Sequence, residues 1–279
     1  MNSAKQSASQ WGASYRLIAA ERWKTQSAAM GRDATNALVE YSRPLPGMNV
    51  LDLAAGTGEP GITIAHRVGP KGHVTALDQS QELLDIAAER ARQRGLTNFS
   101  MRQADAHNLP FADNSFDLAS CRFGVMFFSD SGKALGGLHR VLKPGARACF
   151  LVWGPFEQPF FAPMAIVAKH VGRPALVPGG PNPFRYAEPG SLSAVLQEAG
   201  FSSVEEETRT VPWTWPGTVE DVWEYERSAS APFRPLLEQV PGHKWDEINA
   251  EVHASLRKYV DGQSVQFGAV IVLASGTKL

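Results

Sequence analysis

Two cysteines in 279 residues, Cys121 and Cys149, are too few for a disulfide framework or a cysteine-rich metal site. Both stand in apolar stretches that read as strands, so buried free thiols are expected. No charge of one sign predominates: 27 Lys plus Arg face 28 Asp plus Glu, a formal net charge of -1. Such a chain has no field to gather nucleic acid or an anionic membrane non-specifically. The one concentrated basic run, Arg90, Arg92 and Arg94, reads as a solvated helix face. Long apolar runs are also missing. The best uninterrupted one, Phe267 to Ala274, is far short of a membrane span. Met1 to Gln10 is polar and lacks the apolar heart of a signal peptide, so a soluble cytoplasmic protein is expected. Internal repeats and low-complexity tracts are absent too.

What remains is an alternation of periods. The first 42 residues read as helical, with Leu17, Ala19, Ala20 and Trp23 on one apolar stripe and Ala28, Ala34, Leu38 and Tyr41 on another. Pro44 and Pro46 end that region. Val50 to Ala54 is a short apolar strand running into Gly56-Thr57-Gly58, and Pro60 reads as the first-turn residue of a helix carrying Ile62, Ile64 and Ala65. His73 to Leu77 is a second strand. Ser80 is a good N-cap for a helix with Leu83, Leu84, Ala87, Ala88 and Ala91 on one face, and Gly95 closes it. Strands at 99–102, 116–121 and 148–153 follow, the last after a helix at 134–142 ended by Pro144-Gly145.

Strands separated by helices imply βαβ units and a parallel sheet with helices on both faces. Beyond Gly154 the pattern breaks into a stretch rich in Pro, Gly and Phe, with helices at 162–170, 192–199, 219–226 and 245–259 and strands at 203–210 and 266–274. The last two strands are placed to pair as an antiparallel edge. The expected fold is α/β: a Rossmann-like, doubly wound, seven-stranded sheet, mostly parallel with an antiparallel edge strand. The whole reads as one domain: an N-terminal helical cover (1–47), a cofactor-binding core (48–153), an inserted substrate cap (154–190 and 211–262), and segments that complete the sheet (191–210 and 263–279).

Gly56-Thr57-Gly58-Glu59-Pro60-Gly61 is a G-x-G-x-x-G string between a strand and a helix, and Asp78 ends the next strand where an acid can hold ribose hydroxyls. The string alone also fits nicotinamide dinucleotide enzymes, or a tight turn with no ligand. Charge separates the cofactors. A pyrophosphate wants bare helix N–H groups and no nearby carboxylate, whereas Asp52 lies in the strand and Glu59 opens the helix. S-adenosylmethionine (SAM) brings an ammonium and a sulfonium against one carboxylate, so these acids favour it.

Further strings sharpen this: Val50 to Gly58, Leu77-Asp78-Gln79-Ser80, Asp105-Ala106-His107-Asn108-Leu109-Pro110-Phe111, Ser115-Phe116-Asp117, Cys121-Arg122-Phe123-Gly124 and Arg140 to Gly145. In this order and spacing the chain resembles the class I SAM-dependent methyltransferases, in the branch near the ubiquinone/menaquinone C-methyltransferases. The resemblance implies that Ala54, Gly56 and Gly58 lie against the methionine part of SAM, with Asp52 close to its ammonium. It implies that Asp78 binds the ribose with Gln79 beside the adenosine, and that Asp105 and the Ala106 N–H meet the adenine. Arg122 and Phe123 would flank the methionine chain and the transferable methyl. Trp23 and Tyr15 either close over the cofactor or simply pack in the N-terminal helices.

The product would be S-adenosylhomocysteine (SAH), and no metal is called for. The strand-four segment Cys121-Arg122-Phe123 lacks the Pro-Pro string of amino-group methylators and the Pro-Cys setting of RNA cytosine C5 methylators. Two cysteines are too few for arsenite methylation, and Arg122 stands where a catechol-type magnesium site wants an acid. A small organic acceptor is therefore expected, methylated at oxygen or carbon. No general base declares itself. His107 is the most plausible titrating group, though a solvent-facing loop histidine is the plainer reading. His243-Lys244-Trp245-Asp246 reads as a surface helix start, His139 as packing, and His170 as a cap residue that either packs or lines a pocket. Phe156, Phe160, Phe161, Phe184, Tyr186, Trp213 and Trp215 are dense in segments expected to cover the acceptor, between cap and sheet edge. Some of them form the cap's own core, and the rest point to an apolar or aromatic acceptor. The weaker alternatives are a SAM-binding protein without catalysis and an NAD(P)-dependent oxidoreductase. Oligomeric state is not legible.

Overall fold

The computed structural model describes residues 22–279, in which helices and strands alternate in chain order. Helices α1 (Lys24–Met30) and α2 (Arg32–Ser42) precede β1 (Asn49–Leu53), α3 (Gly61–Val68), β2 (His73–Asp78), α4 (Gln81–Gln93), β3 (Phe99–Gln103) and β4 (Phe116–Arg122). Then come α5 (Ser131–Val141), β5 (Leu142–Trp153), α6 (Ala162–Val171), α7 (Ser191–Glu198) and β6 (Ser202–Pro216). The chain finishes with α8 (Val219–Ala229), α9 (Arg234–Leu237), α10 (Trp245–Arg257), β7 (Val260–Asp261) and β8 (Ser264–Thr277). Tyr15 and the stripe Leu17, Ala19 and Ala20 lie outside the described residues.

The strand order is β3-β2-β1-β4-β5-β8-β6, with β7 paired to β8 alone. Strands β1 to β5 pair in parallel, and β8 runs antiparallel against β5 from Arg147↔Thr277 to Trp153↔Ile271. This is the doubly wound sheet with an antiparallel edge read from the sequence, at eight strands rather than seven because of the two-residue β7. Going outward from β1 the chain winds one way through β2 and β3, and from β4 the other way. The reversal between β1 and β4 leaves a crevice at their carboxyl ends, where ligands bind in open α/β sheets.

The described chain divides into two compact units. A sheet unit holds 34–155, 183–209 and 270–279. Its core is the buried run Val50, Leu51 and Leu53 on β1 with Ile62 and Ile64 on α3 and Leu83 and Leu84 on α4. An aromatic unit holds 22–33, 156–182 and 210–269, so β6 and β8 each begin in one unit and end in the other. Here Phe160 meets Phe161, Trp213 and Phe267 at ring-centre distances of 5.1, 5.6 and 5.8 Å, and α10 packs against both α6 and α8. Of the seven cap aromatics, Phe184 and Tyr186 fall in the sheet unit, where the Tyr186 hydroxyl donates to Ser131 Oγ at 2.7 Å. The helical cover expected over 1–47 is likewise divided, α2 belonging to the sheet unit.

Local signals mostly hold. Ser80 Oγ caps α4 by accepting from the Leu83 N–H at 3.2 Å, and Gly95 follows the helix at φ +68°. Two readings need correction. Pro60 sits one residue before α3 rather than in its first turn, because α3 opens at Gly61. Pro144-Gly145 does not separate helix from strand. Helix α5 runs straight into β5, and the dipeptide lies in a register break between the pairs Phe116↔Leu142 and Leu118↔Arg147. A proline without an N–H and a glycine at φ +81° fit a bulge, where ladder bonds are already interrupted.

Candidate cofactor site

At the carboxyl end of β1 the backbone turns through Ala54 at φ +55° and Gly56 at φ +54°, then Gly58 at φ +107°. A left-handed alanine is costly and needs its surroundings to hold it. Gly124, just after β4, supplies the room: a Cβ there would lie 2.6 Å from the Ala54 Cβ and 2.9 Å from Cys121 Sγ. Gly58 is required for a different reason, since a Cβ would meet Ile62 Cδ1 at 2.6 Å. Over Gly56, by contrast, nothing lies within 4 Å of an added Cβ, so this turn presents bare backbone to open space.

Two carboxylates set the turn. Asp52 is fully buried, its Oδ2 accepting the Gly61 N–H at 2.9 Å and its Oδ1 the Ser120 hydroxyl at 2.8 Å. Burial pushes its pKa up from 3.8 to about 7, with the Ser120 and Gly61 hydrogen bonds and the Arg122 charge pulling it part of the way back. It ties the start of α3 to β4. Asp78, at the end of β2, accepts the Gly56 N–H on Oδ2 at 2.9 Å and the Ser80 N–H on Oδ1 at 3.0 Å. Each of its oxygens keeps a lone pair for a further donor, as two adjacent hydroxyls require.

The adenine-side residues are knitted together. Gln79 Nε2 donates to Asp105 Oδ1 at 3.0 Å, and Asp105 Oδ1 also accepts the His107 N–H at 2.9 Å and meets His107 Nδ1 at 2.6 Å. Partial desolvation raises the Asp105 pKa, but the His107 and Gln79 hydrogen bonds outweigh it and hold the group below the usual carboxylate range. Because the Asp130 N–H donates to His107 Nε2 at 3.2 Å, the proton belongs on Nδ1, facing Asp105. His107 is thus a link between Asp105 and the start of α5, where Asp130 is the N-cap. The Ala106 side chain is buried beside it.

Across the crevice, Phe123 has φ +55°, gives its N–H to Leu151 O at 2.8 Å and stacks on Trp153 with ring centres 4.4 Å apart. Arg122 donates to Thr35 Oγ1 at 3.0 Å. The sheet unit therefore brings Asp52, Ala54, Gly56, Gly58, Asp78, Gln79, Asp105, Ala106, Arg122 and Phe123 to one edge. Trp23 belongs to the aromatic unit, where it packs on Trp215 at 5.4 Å.

Sequence reading missed a supporting layer. Arg90 Nη1 donates to Thr57 Oγ1 at 2.7 Å, and Arg94 Nη1 reaches Glu59 Oε1 at 2.7 Å, so two of the three arginines hold the glycine turn. Arg92, paired with Glu89, and the exposed Arg94 fit the solvated face expected of all three, and Arg90 departs from it. His243 is exposed before α10, His139 packs edge-on against Phe201, and His170 bonds Glu251 at 2.7 Å. Cys121 and Cys149 are buried free thiols, with burial pushing their pKa values up to about 12 and about 11. Among the described residues no group of three or more His, Cys, Asp or Glu side chains is placed to hold a metal ion, and no helix is long and apolar enough to cross a membrane.

Residues 44–152 match the family model described as a methyltransferase domain. The ubiquinone/menaquinone biosynthesis C-methyltransferase of Shewanella oneidensis is 42% identical over 114 residues, which cover 40% of this chain and 45% of that protein. The chain thus spans less than half the length of the curated relatives it matches. Among solved structures, the [4+2]-cyclase SpnF is similar at a TM-score of 0.61 and 20% identity, over 98% of both chains. Phosphoethanolamine N-methyltransferase 2 of Haemonchus contortus, solved with S-adenosyl-L-methionine, has a TM-score of 0.55 and 16% identity over 95% of this chain and 60% of that one. At such identities the likeness is one of fold, and a fold shared with a cyclase does not choose a reaction.

Proposed function

Because the chain carries a class I SAM-dependent methyltransferase domain over residues 44–152, we propose that it moves the methyl of SAM to oxygen or carbon of a small, largely apolar or aromatic molecule, by direct in-line displacement. The observation that carries this reading is Asp78. It is almost fully buried, fixed by the Gly56 and Ser80 N–H groups, and still able to accept two hydroxyls beside the open face of Gly56.

SAM, when bound, supplies a methyl already activated by its sulfonium. What the chain has to do is bind, orient and exclude water. The bare backbone at Gly56 and Gly58 would run beneath the methionine part. Asp78 would hold the ribose, and Asp105 would offer Oδ2 to the adenine amino group, since Oδ1 is already taken by His107 and Gln79. The Ala106 N–H would meet a ring nitrogen, and Phe123, held by Trp153, would flank the reacting end with Arg122. Asp52 is better suited to shaping the turn than to touching an ammonium, because both of its oxygens are engaged and it is fully buried. The acceptor's apolar character is supported by the density of aromatic side chains outside the sheet unit.

Calorimetric titration of the pure protein with SAH and, separately, with NADH tests the cofactor. Micromolar SAH binding with NADH silent is expected. An NADH response without SAH would overturn the reading. Turnover with a panel of phenols and quinols then asks for the acceptor.

A further inference from the structure

Within the aromatic unit, α8, α9, the turn after α9 and the first residue of α10 line an open cleft of about 500 Å³. Four charged side chains face it, and three are matched. Glu224 pairs with Arg22, and Arg234 Nε donates to Glu238 Oε1 at 2.7 Å. The fourth, Arg227, pairs with no carboxylate among the described residues, and its buried Nε has no hydrogen-bond partner there. What holds Arg227 is aromatic. Its guanidinium carbon lies 5.5 Å from the ring centre of Trp223, one helical turn back, and 5.4 Å from that of Trp245. Trp223 is itself fixed, being buried and donating its indole N–H to Asn249 Oδ1 at 2.8 Å. A cation held by two rings instead of a counter-ion is preorganised for an anion, since a ligand has no carboxylate to displace from it.

We propose that this cleft binds a small organic acid, a monocarboxylate with an apolar body, through a forked hydrogen bond from Arg227. The planar N–H fork of a guanidinium matches the two oxygens of a carboxylate. Leu237 and Val240, both buried, and the half-buried Trp245 line the same cleft and give the body of the acid an apolar surface. A phosphate is disfavoured on two counts. Its second negative charge would meet Glu224 and Glu238 in the lining. The Ser228 hydroxyl, also in the lining, already donates to Tyr225 O at 3.2 Å and has no proton left for a third oxygen. The site stands apart from the methyl-transfer reading, because none of its residues is assigned to SAM and its binding is read without SAM or SAH.

The test is calorimetric titration of the protein, free of SAM and SAH, with octanoate and 3-phenylpropanoate, with the primary amide of each, and with phenyl phosphate. At least one carboxylate should bind about tenfold or more tightly than its amide. Arg227→Met, which keeps the aliphatic stem between the rings, should abolish that preference. Arg227→Lys, which keeps the charge without the fork, should reduce it about threefold or more. Circular dichroism identifies a misfolded variant, and where the methionine variant misfolds the lysine variant carries the comparison. A merely structural Arg227 would lower the Tm of the methionine variant and leave carboxylate and amide alike in the wild type. Equal binding of carboxylate and amide by the wild type, including no binding of either at millimolar concentration, overturns the proposal. So does tighter binding of phenyl phosphate, or a folded variant that keeps the full carboxylate preference. SAH titrated alone reports separately on the methyl-transfer reading, which fails if the wild type does not bind it.

Discussion

Asp52 in the sheet unit and Glu226 in the aromatic unit are both fully buried carboxyls whose pKa values burial drives upward. Their surroundings treat them oppositely. Asp52 has a donor for each oxygen, one from the backbone of α3 and one from β4, and so acts as a bolt across the turn. Glu226 has none. A satisfied buried carboxyl is part of the architecture, and an unsatisfied one is a cost to stability. The contrast is between a carboxyl that braces the turn of the sheet unit and a carboxyl of the aromatic unit that has no partner among the described residues.

The largest expected effect on cofactor affinity is at the turn that Asp52 bolts down. Gly58→Val puts a β-branched residue at φ +107° and a Cβ 2.6 Å from Ile62. SAH affinity should fall by about 100-fold, roughly 2.7 kcal/mol, from strain alone. Calorimetry on a variant whose circular dichroism matches the wild type checks it, and unchanged affinity would mean that the turn does not hold the cofactor.

On stability, the largest effect comes from a pair of leucines that sets the two carboxyls directly against each other. Asp52→Leu strands the Gly61 N–H and the Ser120 hydroxyl and should cost about 2–6 kcal/mol. Glu226→Leu should move stability the other way, by about 1–3 kcal/mol, since it removes a buried polar group without stranding a partner. Thermal melts of both variants break the comparison if they shift in the same direction.

How far this contrast was legible in the sequence depends on what each signal measures. Strands β1 to β4 and the Ser80 cap follow from apolar runs and a single hydroxyl, which are local properties. The extent of β5 was not legible, because Pro144-Gly145 reads as a helix stop, and only the partner strand shows that it lies in a bulge. Arg90 and Arg94 looked like a charged face because their partners, Thr57 and Glu59, lie more than thirty residues away. Glu226 was legible and missed. It stands among Glu220, Asp221 and Glu224 and so reads as solvated, yet its spacing of four from Val222 and three from Trp223 puts it on the buried face.

A smaller effect concerns pH. The folded pKa of Asp52 is raised from 3.8 to about 7, so between these values the native state binds a proton that the unfolded state has released. Stability must then fall as pH rises through that window. Glu226, also raised, adds a loss of the same sign that begins near its usual 4.5. Asp52→Asn can accept from Gly61 and donate to Ser120, so it should keep the bolt and flatten the decline of Tm between about pH 4 and pH 7. An Asn variant whose Tm falls with pH as steeply as the wild type would place the titrating group elsewhere.

The smallest effect separates the two arginines behind the turn. Arg90 is mostly buried and gives Nη1 to both Thr57 Oγ1 at 2.7 Å and Thr57 O at 3.3 Å. Arg94 pairs with Glu59 while about half exposed, in a position where water and salt compete. Replacing each by Met keeps the aliphatic stem and removes the charge. Arg90→Met should weaken SAH binding about three- to fivefold, roughly 1 kcal/mol, because a buried donor that fixes the glycine turn is lost. Arg94→Met should change it by less than about twofold. Titrations at low and high salt sharpen the distinction. The wild-type and Arg94→Met affinities should converge as salt screens the exposed pair, while the Arg90→Met deficit persists. Equal deficits at every salt concentration would mean that the turn is held by charge around it rather than by a buried bond at Thr57.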